Sequence, residues 1–213
     1  MVESSDSDEG SSVFFTRSPC TRFLSPSQPE ISESGNMHGM PIGMLLEGVA
    51  PTKSFAADKV VPGFEWLLDS PQLPPDSIVY VGLRDVDPGE RKLIQQFGIH
   101  AYTMYEIDRY GIGKVMEMAL GHLFAKDSNR PIHLSYDIDA VDPILAPATG
   151  TTVRGGLTFR EAHYVAEAIT RTGNLASAEI VELNPSLSTD DGADETVELG
   201  LQIITSFMGK SII

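Results

Sequence analysis

Residues 78–90 read Ile78-Val79-Tyr80-Val81-Gly82-Leu83-Arg84-Asp85-Val86-Asp87-Pro88-Gly89-Glu90. The first six form a near-continuous apolar run, the pattern of a strand buried on both faces of a parallel sheet. Asp87-Pro88-Gly89-Glu90 then starts a helix, with Asp at the cap, Pro in the first turn and Glu three residues on. Gly98 ends that helix. A buried strand that passes through a polar loop into a capped helix is the first half of a βαβ unit, and it sets the frame for reading the rest of the chain.

Working outward, Ile99 to Thr103 reads as a second short strand. Met104 to Phe124 reads as one or two helical pieces, with Val115, Met116, Ala119, Leu120 and Leu123 on one side. Pro131 to Asp137 is a third strand, followed by a long loop from Ile138 to Gly156 rich in Asp, Pro, Thr and Gly. Thr158-Phe159-Arg160-Glu161 is a capping box that opens a helix running through Thr172. Ala178 to Leu183 is a fourth strand, and a last helix is expected from Asp194 to Met208. Strands alternating with helices give an α/β fold with a mostly parallel sheet. One domain is expected over 34–213, preceded by a divergent head, 1–33, in which Met1 to about Gln28 is too rich in Ser, Pro and charge to bury a face and is expected to be disordered or loosely docked.

The chain has 213 residues, of which 41% are hydrophobic, enough for a sizeable core. Its net charge of -15 repels phosphate backbones, so a nucleic-acid partner is not expected. A single cysteine, Cys20, cannot form an internal disulfide. No apolar stretch approaches the roughly 20 residues of a membrane span, so no membrane association is expected. The first ten residues carry Glu3, Asp6, Asp8 and Glu9 and no base, unlike a transit peptide or secretory signal, so the expected compartment is cytoplasmic.

Ligands of open parallel sheets gather at the C-terminal ends of strands, and four polar places lie at or near such ends. Asp137-Ile138-Asp139 would put two carboxylates on one side of the third strand, an arrangement suited to a hard divalent cation, or would cap the following turn. Asp142 before Pro143 reads as a turn residue. His38, in Ser34-Gly35-Asn36-Met37-His38-Gly39, could present a proton donor beside a binding loop, although a loop His bonded to backbone is the simpler reading. Asp87 could meet a cationic group but already has a job as helix cap. Glu182, near the end of the fourth strand, reads as a buried carboxylate in need of a cation or hydrogen-bond partner. His100, His122, His133 and His163 sit inside strand or helix stretches and read as core or surface residues.

Taken together, these segments resemble the arginase family of the ureohydrolase superfamily. The resemblance runs through Ser34 to Gly39, Tyr80 to Glu90, Asp108-Arg109-Tyr110-Gly111-Ile112-Gly113-Lys114 and Arg130 to Asp142. It continues through Pro147-Ala148-Thr149-Gly150-Thr151, Gly155 to Glu161 and Glu182-Leu183-Asn184-Pro185-Ser186-Leu187, in that order over most of residues 34 to 200. The Arg84 to Glu90 segment points to arginase rather than agmatinase. The resemblance implies a three-layer αβα fold and hydrolysis of L-arginine to L-ornithine and urea by a hydroxide bridging two Mn ions. By position it implies that Asp137 and Asp139 are metal ligands, His38 a proton shuttle, and Glu182 the carboxylate that orients the guanidinium, with Thr151 beside it. It further implies that Ser34 and Asn36 meet the substrate α-carboxylate, and that Asp87 and, through water, Glu90 receive the α-amino group. A homo-oligomer, a trimer in the family, is the implied assembly.

The chain departs from the family pattern in one respect. The family takes its other metal ligands from a His on an upstream loop and from an Asp-x-His-x-Asp motif just before the Ser-Gly-Asn-x-His-Gly segment. Here Phe23-Leu24-Ser25-Pro26-Ser27-Gln28-Pro29 stands in that place, with no acid and no histidine. N-terminal strands and helices are accordingly expected to be missing, and full occupancy by two Mn ions is not expected from these residues alone. Two readings stay open: an arginase-type hydrolase completed by ligands from another chain, and a catalytically impaired arginase-like chain that joins or regulates an oligomer.

Overall fold

The computed structural model describes residues 12–16, 42–54, 57–60 and 62–210. Five strands, β1 (Ser12–Thr16), β2 (Ile78–Leu83), β3 (His100–Thr103), β4 (Ile132–Asp137) and β5 (Leu175–Val181), pair in parallel in the spatial order β3-β2-β1-β4-β5. Five helices accompany them: α1 (Pro88–Phe97), α2 (Met104–Tyr110), α3 (Ile112–Leu123), α4 (Phe159–Thr170) and α5 (Asp190–Phe207). Among the described residues no helix is long and apolar enough to cross a membrane.

The sheet's two faces follow from the period of two along each strand. On one face Ile78 and Tyr80 pack with Leu93 of α1, Ile99, and Ile42, Leu46 and Val49 of the segment 42–50. On the other, Val79, Val81, Ile132, Leu134 and Tyr136 pack against Ile107 of α2, Val115 and Met116 of α3, Ala162, Val165 and Ile169 of α4, and Leu199, Ile203 and Phe207 of α5. The result is the expected αβα layering, and β2 is buried along its whole length. Burying a Leu, Ile or Val side chain contributes about 1.5–3 kcal/mol, so this double packing is the main source of stability in the β2–β4 region.

Four expectations are corrected in detail. The loose head is corrected at Ser12–Thr16, whose backbone is the middle strand, with Phe14 in register with Val79 on one side and Leu134 on the other. Val13, Phe14, Phe15 and Thr16 are strand formers, and a segment that joins two ladders needs no long apolar run of its own. The rest of the head lies outside the described residues. The last strand begins three residues earlier than expected and ends at Val181, because Glu182 turns into left-handed backbone with φ 65°. α5 likewise begins earlier, at Asp190, where Thr189 caps it by accepting from Gly192 N at 3.4 Å. At α1 the capping box does not form: Asp87 occupies the cap position without a side-chain cap bond, and Pro88 alone sets the first turn. Gly98 ends α1 as expected, in the left-handed conformation (φ 63°) that a side chain would strain.

Because all five strands run the same way, their C-terminal ends share one edge. The order places β2 and β3 on one side of β1 and β4 and β5 on the other. The chain therefore changes direction at β1, the kind of switch point where a crevice opens outside the strand ends.

Candidate functional site

Asp137 is the last residue of β4, in register with Val181, and Glu182 follows Val181 directly. Asp137 and Glu182 thus stand on adjacent strand ends. Asp139 does not lie on the strand: it sits in a short 3-10 turn, Ile138–Ala140, and its main-chain N donates to Asp137 Oδ1 at 2.8 Å. The sequence reading held both a cation-binding and a turn-capping role open for Asp137, and its carboxylate does cap this turn. Both residues are nevertheless buried, at 4% and 2% exposure. Two acids this well shielded carry a desolvation cost unless they meet donors or a cation.

The partners divide unequally. Thr151 Oγ1 donates to Asp139 Oδ2, while Asp139 Oδ1 is buried without a hydrogen-bond partner. Burial pushes the Asp139 carboxyl up to about 6, and the negative charge of Glu182 adds to the shift. The Thr151 hydroxyl and the Arg84 guanidinium oppose it. A bound cation would relieve the same burden by pairing with the orphan oxygen. Glu182 itself is exposed, which corrects the expectation of a buried carboxylate. It lies past the end of an edge strand, and its side chain needs no buried partner.

The loop 146–156 is folded over these acids. Thr149 Oγ1 donates to Glu182 O at 2.9 Å, and Asn184 N donates to Ala148 O at 2.9 Å, so the loop is stitched to the exit of β5. Asp142 is the turn residue the sequence suggested: its carboxylate accepts from Ile144 N at 3.0 Å, Gly155 N at 2.8 Å and Gly156 N at 3.2 Å. Those bonds hold Asp142 well below the usual carboxylate range despite a desolvation penalty that acts the other way. At Gly156 a Cβ would come within 2.6 Å of Asp142 N and Val141 C, so only glycine permits this crossing.

Across β1, Asp87 begins α1 half-buried and Glu90 is buried in its first turn, on the same strand-end edge. Ser34, Asn36 and His38 lie outside the described residues. Of the other histidines, His133 Nδ1 lies 2.8 Å from Ser177 Oγ, His163 Nδ1 lies 3.0 Å from Ser206 Oγ, and His100 stacks on His122, all structural arrangements as expected.

Two contributors were not singled out from sequence. Thr149 fixes the backbone of Glu182. Arg84, at the end of β2, donates to the main-chain carbonyls of Asp139, Ala140 and Val153. A lone arginine directly after a buried strand was the available signal.

The donor chemistry fits a hard divalent cation at the Asp137–Asp139 pair, where Asp139 has an orphaned carboxylate oxygen and its main-chain N is bonded to a second buried carboxylate. Among the described residues no three His, Cys, Asp or Glu side chains gather to hold a metal ion. A cation held by this pair would therefore need further ligands.

The chain is similar in sequence and in fold to arginases. An arginase from Glaciozyma antarctica is 48% identical over 185 residues, and human mitochondrial arginase-2 is 47% identical over 186. These matches take in 87% and 86% of this chain but 51% and 50% of the relatives, so the chain spans about half the length of the curated relatives it matches. The crystal structure of arginase from Bacillus subtilis superposes with a TM-score of 0.74 at 33% identity, covering 96% of this chain and 64% of that one. The crystal structure of a cold-adapted arginase from the psychrophilic yeast Glaciozyma antarctica gives a TM-score of 0.73 at 38% identity, covering 96% of this chain and 62% of that one. The arginase family model matches residues 26–209, and on that match the chain belongs to the arginase family.

Proposed function

We propose that this chain carries an arginase-type hydrolytic site, for L-arginine and water going to L-ornithine and urea. The observation that carries this reading is the Asp137–Asp139 pair, buried at the strand-end edge with Asp139 Oδ1 lacking a partner, in a chain of the arginase family. Asp137 and Asp139 would hold Mn, which when bound supplies Lewis acidity that brings the pKa of water toward neutrality. Thr151 keeps one Asp139 oxygen engaged, and the unbonded one would be available to the cation.

The remaining steps belong to the side chains. Glu182 presents an exposed negative charge at the end of β5, suited to the planar guanidinium of arginine and to orienting its carbon toward the attacking oxygen. Asp87, with Glu90 acting through water, receives the α-ammonium, and Ser34 and Asn36 the α-carboxylate. Attack forms the new C–O bond, and cleavage of the C–N bond to ornithine requires a proton on the departing nitrogen. We assign that transfer to His38.

Metal ligands beyond Asp137 and Asp139 come, in this reading, from residues outside the described set or from another chain. A second reading is favoured by the same incompleteness: an impaired arginase-like chain that acts as an oligomer partner. Metal stoichiometry and urea release from L-arginine by the purified chain separate them. Two Mn per chain with urea production supports the hydrolase, whereas no Mn, or one loosely held ion without urea, supports the impaired chain.

A further inference from the structure

β2 and β4 are not neighbours, because β1 runs between them. Arg84 nonetheless reaches from the end of β2 to the loop that follows β4. Its Nε and Nη2 donate to Val153 O at 2.9 and 2.8 Å, its Nη1 to Ala140 O at 3.2 Å, and its Nη2 also to Asp139 O at 2.5 Å. These acceptors are all main-chain carbonyls, from two segments of one loop: the turn that bears Asp139 and the stretch just after Thr151.

This choice of acceptors has a chemical consequence. A guanidinium close to Asp139 could have taken its carboxylate in a bidentate ion pair, which would occupy both oxygens. It takes the Asp139 carbonyl instead. By tying residues 139–140 to residue 153, the planar fork fixes the closure of the loop in which Thr151 Oγ1 meets Asp139 Oδ2. Asp139 Oδ1 is left buried and unbonded.

We infer that Arg84 is a positioning residue of the cation site: it clamps the Asp139–Val153 loop across the end of β1, so that Asp139 presents one free carboxylate oxygen to the metal. This rests on the reading of Asp137 and Asp139 as metal ligands. A residue that orients a ligand without touching the ion commonly alters metal affinity about 10–100-fold when removed. Lysine would keep the charge and the stem but offers a point charge in place of a rigid fork, and cannot reproduce the guanidinium's fixed set of bonds to three carbonyls.

The test is titration of the full chain with Mn(II), followed by electron paramagnetic resonance of the free ion, for wild type, Arg84→Lys, Arg84→Met, Asp137→Ala and Ile169→Ala. The last variant removes a fully buried side chain from α4, away from the loop, and controls for loss of stability alone. The expected result is a fall of about 10-fold or more in Mn affinity for both Arg84 variants. Ile169→Ala should keep wild-type affinity while melting at lower temperature. Arg84→Lys preserves most of the packing, so a folded protein with weakened Mn binding isolates positioning from folding. Arg84 variants that bind Mn like wild type, while Asp137→Ala does not, overturn the positioning role and leave the site reading intact. Wild-type protein that binds no Mn overturns both.

Discussion

β2 and β5 are both parallel strands of one sheet, yet β2 is buried at every residue and β5 is exposed from Ala176 to Glu179. Two observations account for the difference. β2 lies between β1 and β3, with α1 and residues 42–50 on one face and α2 and α3 on the other. β5 pairs with β4 alone among the described residues, and the face it shares with β4 is polar, with His133, Ser135, Ser177 and Glu179 bonded among themselves. Parallel strands are ordinarily covered on both faces, so among the described residues β5 is the side on which this sheet lacks cover. The candidate site lies on the boundary: Asp137 and Asp139 belong to the well-covered side, and Glu182 to the bare one.

The comparison can be broken by substitution. Leu134→Ala, in the fully buried centre of β4, should cost about 2–5 kcal/mol in urea unfolding, whereas Ser177→Ala on β5 should change stability by no more than about 0.5 kcal/mol. Equal costs at the two positions would mean that β5 is covered in solution. At the boundary, Glu182 sits in left-handed backbone, where a β-carbon is unfavourable by about 1–2 kcal/mol. Glu182→Gly should therefore raise stability by about 1 kcal/mol while removing the carboxylate proposed to hold the guanidinium. A melting temperature at or below that of wild type would remove the strain argument.

A smaller effect concerns acid. Burial holds His163 below the ordinary imidazole range, with Glu167 opposing and Lys210 assisting, and burial likewise depresses His122. The unfolded chain then binds more protons than the folded one just below pH 6.5, so stability is full above that value and falls as the pH drops through it. Thermal melts of His163→Gln should lose less between pH 7.5 and 5.5 than those of wild type. Parallel losses would exclude His163 as a source of the acid sensitivity.

Much of this architecture was legible in the sequence, for identifiable reasons. The buried strands β2 and β4 and the capping box Thr158–Glu161 are signals carried within a few adjacent residues, and each appears where the pattern put it. β1 was missed because Ser12–Thr16 owes its strand state to partners 65 or more residues away, invisible to local composition. The exposure of β5 and Glu182 was missed for a similar reason: an apolar strand pattern does not say whether a neighbour is present. At the site, the Asp137–Asp139 pair was readable from spacing, although the turn that displaces Asp139 from the strand was not. Arg84's reach across β1 depends on strand order, which no short motif encodes.

The most direct test of the central claim is the Mn content of the purified chain, measured by elemental analysis beside Asp137→Ala and accompanied by urea release from L-arginine. The account predicts bound Mn in the wild-type chain and its loss in the variant, because one of the two proposed carboxylate ligands is gone. Any urea production should disappear with the metal. A metal-free wild-type protein, or a variant that keeps its Mn, would contradict the assignment of this acid pair as the metal-binding part of the site.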